Sequence, residues 1–217
     1  MSGVLTYGID VSHYSEAINW DTVLAQNVHF VFAKASEVSF TTHGVSKFKD
    51  PMFDTYWPAL GSRNVKRGAF HFCRPGIDPD LAMSFFFTVY TLKTGDLLPT
   101  LDVEDQYADD TSVSAQDKVT QIQKMVSLVS AKINGQKPII YTKRRVWKAL
   151  NNPGDIGGCP LWVIDYNGND TPVLPASWSK FSFWQYAENK SMPGIQGDFD
   201  PDYFNGAPND LAACCIQ

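Results

Sequence analysis

The stretch Leu97-Leu-Pro-Thr-Leu-Asp-Val-Glu104, followed by a patterned run from Ser114 to Gly135 and then by Pro138-Ile-Ile-Tyr141, decides the fold. The first piece is a short apolar run that reads as a strand closing on two acids. Ser114 with Asp117 then resembles a capping box. Val119, Ile122, Val126, Val129 and Ile133 follow at helical spacing along one face, and Gly135 stops the run. Pro138 to Tyr141 is again apolar throughout. Buried strands alternating with amphipathic helices imply a parallel sheet covered on its outer face.

The same alternation extends in both directions. Strands are expected at Leu5 to Val11, His29-Phe-Val-Phe-Ala-Lys-Ala35, Gly68-Ala-Phe-His-Phe72, Leu161-Trp-Val-Ile164 and Phe181-Ser-Phe-Trp-Gln-Tyr186. Helices are expected around Trp20 to Gln26, from Pro51 to about Gly61, and from Asp80 to Tyr90. Seven or eight such strands close as a β/α barrel, yet a full eightfold version takes about 250 residues. This chain has 217, and helix signals fade after residue 150. The expected fold is therefore α/β, a single irregular, incomplete (β/α)-barrel of TIM-like type, with some later helices replaced by loops. No repeat or linker divides the chain, so residues 1–217 are expected to form one catalytic barrel domain.

Composition narrows the function. Hydrophobic residues make up 44% and aromatic residues 13%, which suits a thick core or a sugar-stacking cleft. The net charge of -5 carries no basic stripe, which argues against a nucleic-acid partner. No apolar stretch approaches the roughly 20 residues that cross a bilayer, so no membrane partner is expected. Met1-Ser2-Gly3 offers neither a basic leader region nor a cleavage site, so no signal peptide is read there. Cysteines 73, 159, 214 and 215 have no zinc-like spacing. Their expected states are buried free thiols or a single bridge to the C-terminal tail.

Acids stand where strands end. Asp10 closes the first strand, Asp102 and Glu104 the fourth, and Gly197-Asp-Phe-Asp200 is read as closing the last. In a β/α barrel the carboxyl ends of the strands form the active face, so these acids would converge. Asp102 and Glu104, two apart in a strand, point to one side with α-carbons about 6.6 Å apart, while Val103 enters the core. Crowded carboxyls with one member protonated are what glycoside cleavage requires. Taken alone, an Asp-x-Glu is as readily a solvated strand end.

In order along the chain stand Tyr7-Gly-Ile-Asp-Val-Ser-His13, Phe32-Ala-Lys-Ala-Ser-Glu37, Gly68-Ala-Phe-His-Phe72, Leu101-Asp-Val-Glu104, Pro138-Ile-Ile-Tyr141, Leu161-Trp162, Trp184-Gln-Tyr186 and Pro193-Gly-Ile-Gln-Gly197 through Asp200 and Phe204. This ordered set resembles the family 25 glycoside hydrolases, the Chalaropsis-type lysozymes, over roughly residues 5 to 206. The resemblance implies an irregular β/α barrel and N-acetylmuramidase activity on the β-1,4 bonds of peptidoglycan. It also implies a catalytic set of Asp10, Asp102, Glu104 and Asp200. Glu104 would be the proton donor and Asp102 the partner of the substrate's 2-acetamido group. Enzyme nucleophile and substrate assistance both stay open, with assistance favoured. Two departures touch the cleft wall rather than the acids: Val38 where glycine is common, and Phe70 where tyrosine is frequent.

Tyr166, Trp184, Phe72 and Tyr141 are the expected substrate-binding rings, since the C–H face of a pyranose is apolar. For each, core packing is the competing role. His71 would join Asp10 and Asp102 in a metal site, or else make buried hydrogen bonds. No metal or cofactor is expected. His13 would line the rim, and Lys34 would pair with Asp10 or form a structural salt bridge. The expected partner is peptidoglycan polysaccharide, the expected state a monomer, and the expected location secreted or otherwise exported. The competing functions are a non-catalytic glycan-binding protein on the same fold and a metal-dependent glycan deacetylase, which needs more imidazole than this chain supplies.

Overall fold

Nine strands and six α-helices form among residues 4–217, the residues that the computed structural model describes. Residues 1–3, where no leader is read, lie outside them. The strands are β1 (Leu5–Val11), β2 (Phe30–Thr41), β3 (Gly44–Lys49), β4 (Lys66–Phe72), β5 (Thr100–Asp102), β6 (Ile139–Thr142), β7 (Leu161–Ile164), β8 (Phe183–Gln185) and β9 (Asp200–Asn205). The helices are α1 (Trp20–Leu24), α2 (Phe53–Gly61), α3 (Pro79–Val89), α4 (Asp105–Asp109), α5 (Ala115–Lys132) and α6 (Arg144–Ala149).

The sheet order is β1-β9-β8-β7-β6-β5-β4-β2-β3, and β1 also pairs with β2. Eight strands thus close a barrel, with β3 outside it as the hairpin partner of β2. The incompleteness lies in the helical ring, as the sequence suggests: no α-helix follows Ala149 among the described residues.

The sheet is not wholly parallel. β9 runs antiparallel to both β1 and β8, and β3 runs antiparallel to β2. This corrects the expectation for Asp200, which opens β9 instead of closing a strand. An antiparallel return needs no crossover helix, and the segment 186–199 between β8 and β9 forms none. Because β9 points the other way, its first residue stands level with the last residues of the parallel strands. Asp200 therefore still reaches the mouth.

Period-two alternation sorts each barrel strand into an inner and an outer face. The inner face of the lower barrel is filled by rings. Phe30 and Phe183 meet at 5.1 Å, Phe183 and Phe204 at 5.2 Å, and Phe32 stacks on Trp162 at 4.3 Å between centroids. Gly8 and Gly68 make room for them, since a Cβ at either would fall 2.4 Å from a phenyl ring. Outer-face residues such as Ile9, Val31, Leu101, Ile140 and Val163 are buried in the same core cluster.

Helix α5 forms where its stripe and cap predict. The Ser114 hydroxyl accepts the Asp117 backbone N–H at 3.1 Å, and Val119, Ile122, Val126 and Val129 are buried. Asp117 reaches the Ser114 hydroxyl at 2.7 Å, so this pair differs in detail from a capping box. All four cysteines are free and buried.

Candidate active site

The inner faces of the strands bring a different chemistry to the mouth. Asp10 comes from the end of β1 and pairs across to Asp200 at the start of β9. Phe72, Asp102 and Tyr141 stand in register on β4, β5 and β6. Glu104 is the extended residue just before α4, so strand-like backbone carries it to the same side as Asp102, while Val103 between them is buried in the core. Asp10, Asp102, Glu104 and Asp200 line one cavity of about 170 Å3, together with Lys34, Phe72, Tyr141 and Trp162. A second groove, about 440 Å3, continues from it past Tyr14, Asp10, Asp198 and Asp200.

One amide organises this layer. Gln185 on β8 donates from Nε2 to Asp10 Oδ2 at 2.8 Å and to Asp200 Oδ2 at 3.2 Å. Its Oε1 accepts the Tyr141 hydroxyl at 2.8 Å and also the Tyr166 hydroxyl. Asp200 Oδ1 accepts the Asn189 backbone N–H at 2.7 Å. Beneath Asp10 lies a fifth acid, Asp202, fully buried, whose Oδ1 accepts Trp162 Nε1 at 2.7 Å. Its Oδ2 accepts no N–H or hydroxyl among the described residues, and the Asp10 carboxyl lies within hydrogen-bonding contact of Asp202. Two charges are costly to bury side by side, and burial raises both carboxyls well above the ordinary range.

Burial sets the electrostatics. It pushes Asp10 well above the ordinary carboxylate range, with the charges of Asp202 and Asp200 adding to it. It does the same to Asp102, where Glu104 adds and Lys34 opposes. Glu104 is raised by burial against the pull of Lys143. Asp200 is pushed up to about 6, again by burial, with the Asn189 N–H opposing. Raised carboxyls therefore crowd one hollow and hold protons more readily than free acids, which suits acid-assisted cleavage of an acetal.

The family model described as glycosyl hydrolases family 25 matches residues 9–195. The chain belongs to that family. Lysozyme M1 of Streptomyces globisporus is 26% identical over 95% of this chain and 70% of its own length. The N,O-diacetylmuramidase of a Chalaropsis species is 25% identical over 89% of this chain and 95% of its own. The structure of the bacterial lysozyme from Streptomyces coelicolor superposes with a TM-score of 0.86 at 26% identity, covering 100% of this chain and 98% of that one. The protein is thus a glycoside hydrolase of the lysozyme and muramidase family.

The family 25 hydrolase places most of its sequence-predicted site residues at the mouth; Trp184 and Tyr166 are not in the cavity lining. Phe72 and Tyr141 line the cavity, while Tyr166, 43% exposed, is outside its lining and reaches the site through its hydroxyl on Gln185. Trp184 does not reach it. On β8 the inward positions are Phe183 and Gln185, so Trp184 points outward, is 4% exposed, and donates its Nε1 to the Asp165 carbonyl at 2.8 Å. Its ring packs between Tyr186 and Tyr203 instead. Lys34 pairs with Glu37 at 3.1 Å, not with Asp10. His71 is buried, bonds Ser36 at 2.8 Å, and is lowered to about 3 by burial and by Lys34, so its ring stays neutral. His13 binds Asp50 at 2.8 Å beside the rim. Sequence reasoning passed over Gln185 and Asp202. Asp202 was within reach, since it lies two residues after Asp200 on the same face.

A cleft of about 460 Å3 opens at the other end of the barrel, around Arg63, Lys66, Arg67 and Asp96. Its charges serve the fold: Arg67 pairs with Asp96 at 2.9 Å and Arg63 with Asp21 at 3.0 Å.

Proposed function

We propose that this hydrolase is a muramidase that cleaves the β-1,4 bond after N-acetylmuramic acid in peptidoglycan, with retention of configuration. The observation that carries the proposal is Glu104, a carboxyl pushed up by burial that shares its cavity with Asp102. Asp102 Oδ1 is buried and makes no hydrogen bond among the described residues. As a lining residue of that cavity, Asp102 is placed to hold a 2-acetamido group.

Glu104 gives its proton to the leaving oxygen as the C1–O bond breaks. The acetamido carbonyl oxygen of the same sugar attacks C1 from the opposite face, and Asp102 holds the acetamide in place. The Glu104 carboxylate then takes a proton from water, which opens the ring intermediate at C1, and two inversions give net retention. Asp10 and Asp200 complete the negative hollow around the developing cation. Phe72, Tyr141 and the exposed Tyr166 offer faces and hydroxyls to the sugar. The scheme uses side chains and the substrate's own acetamide throughout. In this reading residues 1–217 act as one catalytic domain and as a monomer, on a wall outside the cell that makes the protein.

Glu104→Gln is expected to lower turnover roughly 10²–10⁴-fold while the thermal unfolding profile stays that of a folded protein. Products from peptidoglycan should carry new reducing ends at muramic acid, with or without a chelator. Substantial activity left in Glu104→Gln sinks the assignment of the acid. Acetate release that a chelator abolishes points to a deacetylase, and an absence of products points to a glycan binder.

A further inference from the structure

The cavity has room for little more than one sugar ring, so the rest of a polymer must leave it over the surface. A continuous row of rings marks one exit. Tyr14 and Phe72 both line the cavity. Tyr14 packs on His13 with centroids 4.1 Å apart, and His13 meets Phe48 edge-on at 5.6 Å. Lys34 closes the row, with its Nζ 5.8 Å from the Phe48 ring and 4.6 Å from that of Phe72. Tyr14 is 72% exposed and Phe48 36%, large values for rings beside a cavity.

The row is held rigidly. Asp50, itself buried, takes both the His13 backbone N–H at 3.0 Å and His13 Nδ1 at 2.8 Å on one oxygen. Phe48 sits on β3, opposite Glu37 of β2, and Glu37 is clamped by Lys34 at 3.1 Å and Arg74 at 2.7 Å. A register shift in β2 between Lys34 and Ser36 turns the hairpin off the barrel wall, which places β3 along the rim. Rings fixed before the ligand arrives lose little conformational freedom when it binds.

We propose that Tyr14, His13 and Phe48 form a sugar subsite, a ledge on which a pyranose of the same glycan strand stacks its C–H face. This rests on the muramidase reading, because it takes the occupant to be the strand being cleaved. The ledge joins the catalytic cavity at Tyr14, and Lys34 and Ser12, which line that cavity beside it, suit hydroxyls.

The test uses the full chain with Phe48→Ala, Phe48→Leu and Phe48→Trp. On long glycan strands Phe48→Ala is expected to raise KM roughly three- to tenfold and leave kcat within about twofold, with Phe48→Trp close to wild type. Phe48→Leu keeps the bulk without the flat face, and is expected to fall between them. Binding of uncleaved strands is measured in parallel by calorimetry, each variant being combined with Glu104→Gln. An unchanged KM and an unchanged affinity overturn the ledge, as does an equal rise in KM on the shortest cleavable fragment. So does a change confined to self-association in sedimentation, which makes the ledge a contact between copies. If the wild type cleaves nothing while strand binding still depends on Phe48, the muramidase reading falls and the ledge stands.

Discussion

The two ends of the barrel interior are built by the same strands and have opposite chemistry. β9 contributes Phe204 below and Asp202 and Asp200 above, while β8 contributes Phe183 below and Gln185 above. The lower layer is dry and closely packed, with Phe30, Phe32 and Phe183 fully buried and in mutual ring contact. The upper layer gathers Asp10, Asp102, Glu104, Asp200 and Asp202, each raised first of all by burial. The layers depend on each other. A floor of rings excludes water from beneath the acids, which is what makes their charges costly and keeps protons on them. Stability resides in the floor, and reactivity is held at the mouth against the preference of the fold.

That division predicts opposite responses to substitution. The largest expected effect is in the floor: Phe32→Ala should destabilise the protein by about 3–5 kcal/mol, a fall in Tm of roughly 10 °C for a chain of this size. Phe32 also supports Trp162, which holds Asp202, so activity should fall in the molecules that remain folded. Denaturant unfolding measures the first effect, and a loss below about 1 kcal/mol would place the stability elsewhere.

In the upper layer Asp202→Asn should stabilise, by about 1–2 kcal/mol near neutral pH. The new amide can still accept Trp162 Nε1 and can donate to Asp10 where two carboxyls now compete for a proton. The gain must depend on pH. A carboxyl whose pKa folding has raised favours the native state while protonated, and that advantage is lost as pH climbs from about 4 through the raised value, about 6 for Asp200. Burial raises both Asp10 and Asp202, and Asp202 raises Asp10 further while the Asp10 hydrogen bond draws Asp202 down, so the advantage of Asp202→Asn should be widest at alkaline pH and shrink toward pH 4. Unfolding midpoints across that range decide the matter, and a destabilised Asn variant at every pH would mean that Asp202 is an ordinary well-satisfied buried acid.

The floor was more legible in the sequence than the mouth, for physical reasons. Strands such as β1 and β7, and helix α5 with Ser114 at its cap, declare themselves through local periodicity and punctuation. The β3 strand does not, because Gly44–Lys49 is largely exposed and its residues have no buried face to alternate with. The direction of β9 is equally hidden, since direction is decided by the strands it pairs with. In Phe181-Ser-Phe-Trp-Gln-Tyr186 the apolar residues fit either phase, and the eye goes to Trp184 while the structure turns Gln185 inward. The acids themselves were findable, because a spacing of two on one strand puts Asp202 beside Asp200 as surely as it puts Glu104 beside Asp102.

The smallest expected effect is the finest test of which acid governs the chemistry. Lys143 opposes the raised pKa of Glu104 more than any other charge, and it is itself paired to Asp105, which acts in the opposite sense. Lys143→Met removes a cation and leaves Asp105 paired to Arg145 alone, so Glu104 should keep its proton to higher pH. The alkaline limb of the kcat/KM profile, where the acid is lost, should then move upward. Asp105→Asn should move it downward. Both shifts should shrink with added salt, since the two groups are partly exposed. Opposite movements tie the limb to Glu104. A limb that ignores both substitutions and stays near the value of Asp200, about 6, would transfer the role of proton donor to Asp200, the other acid at the mouth whose raised pKa reaches the working range.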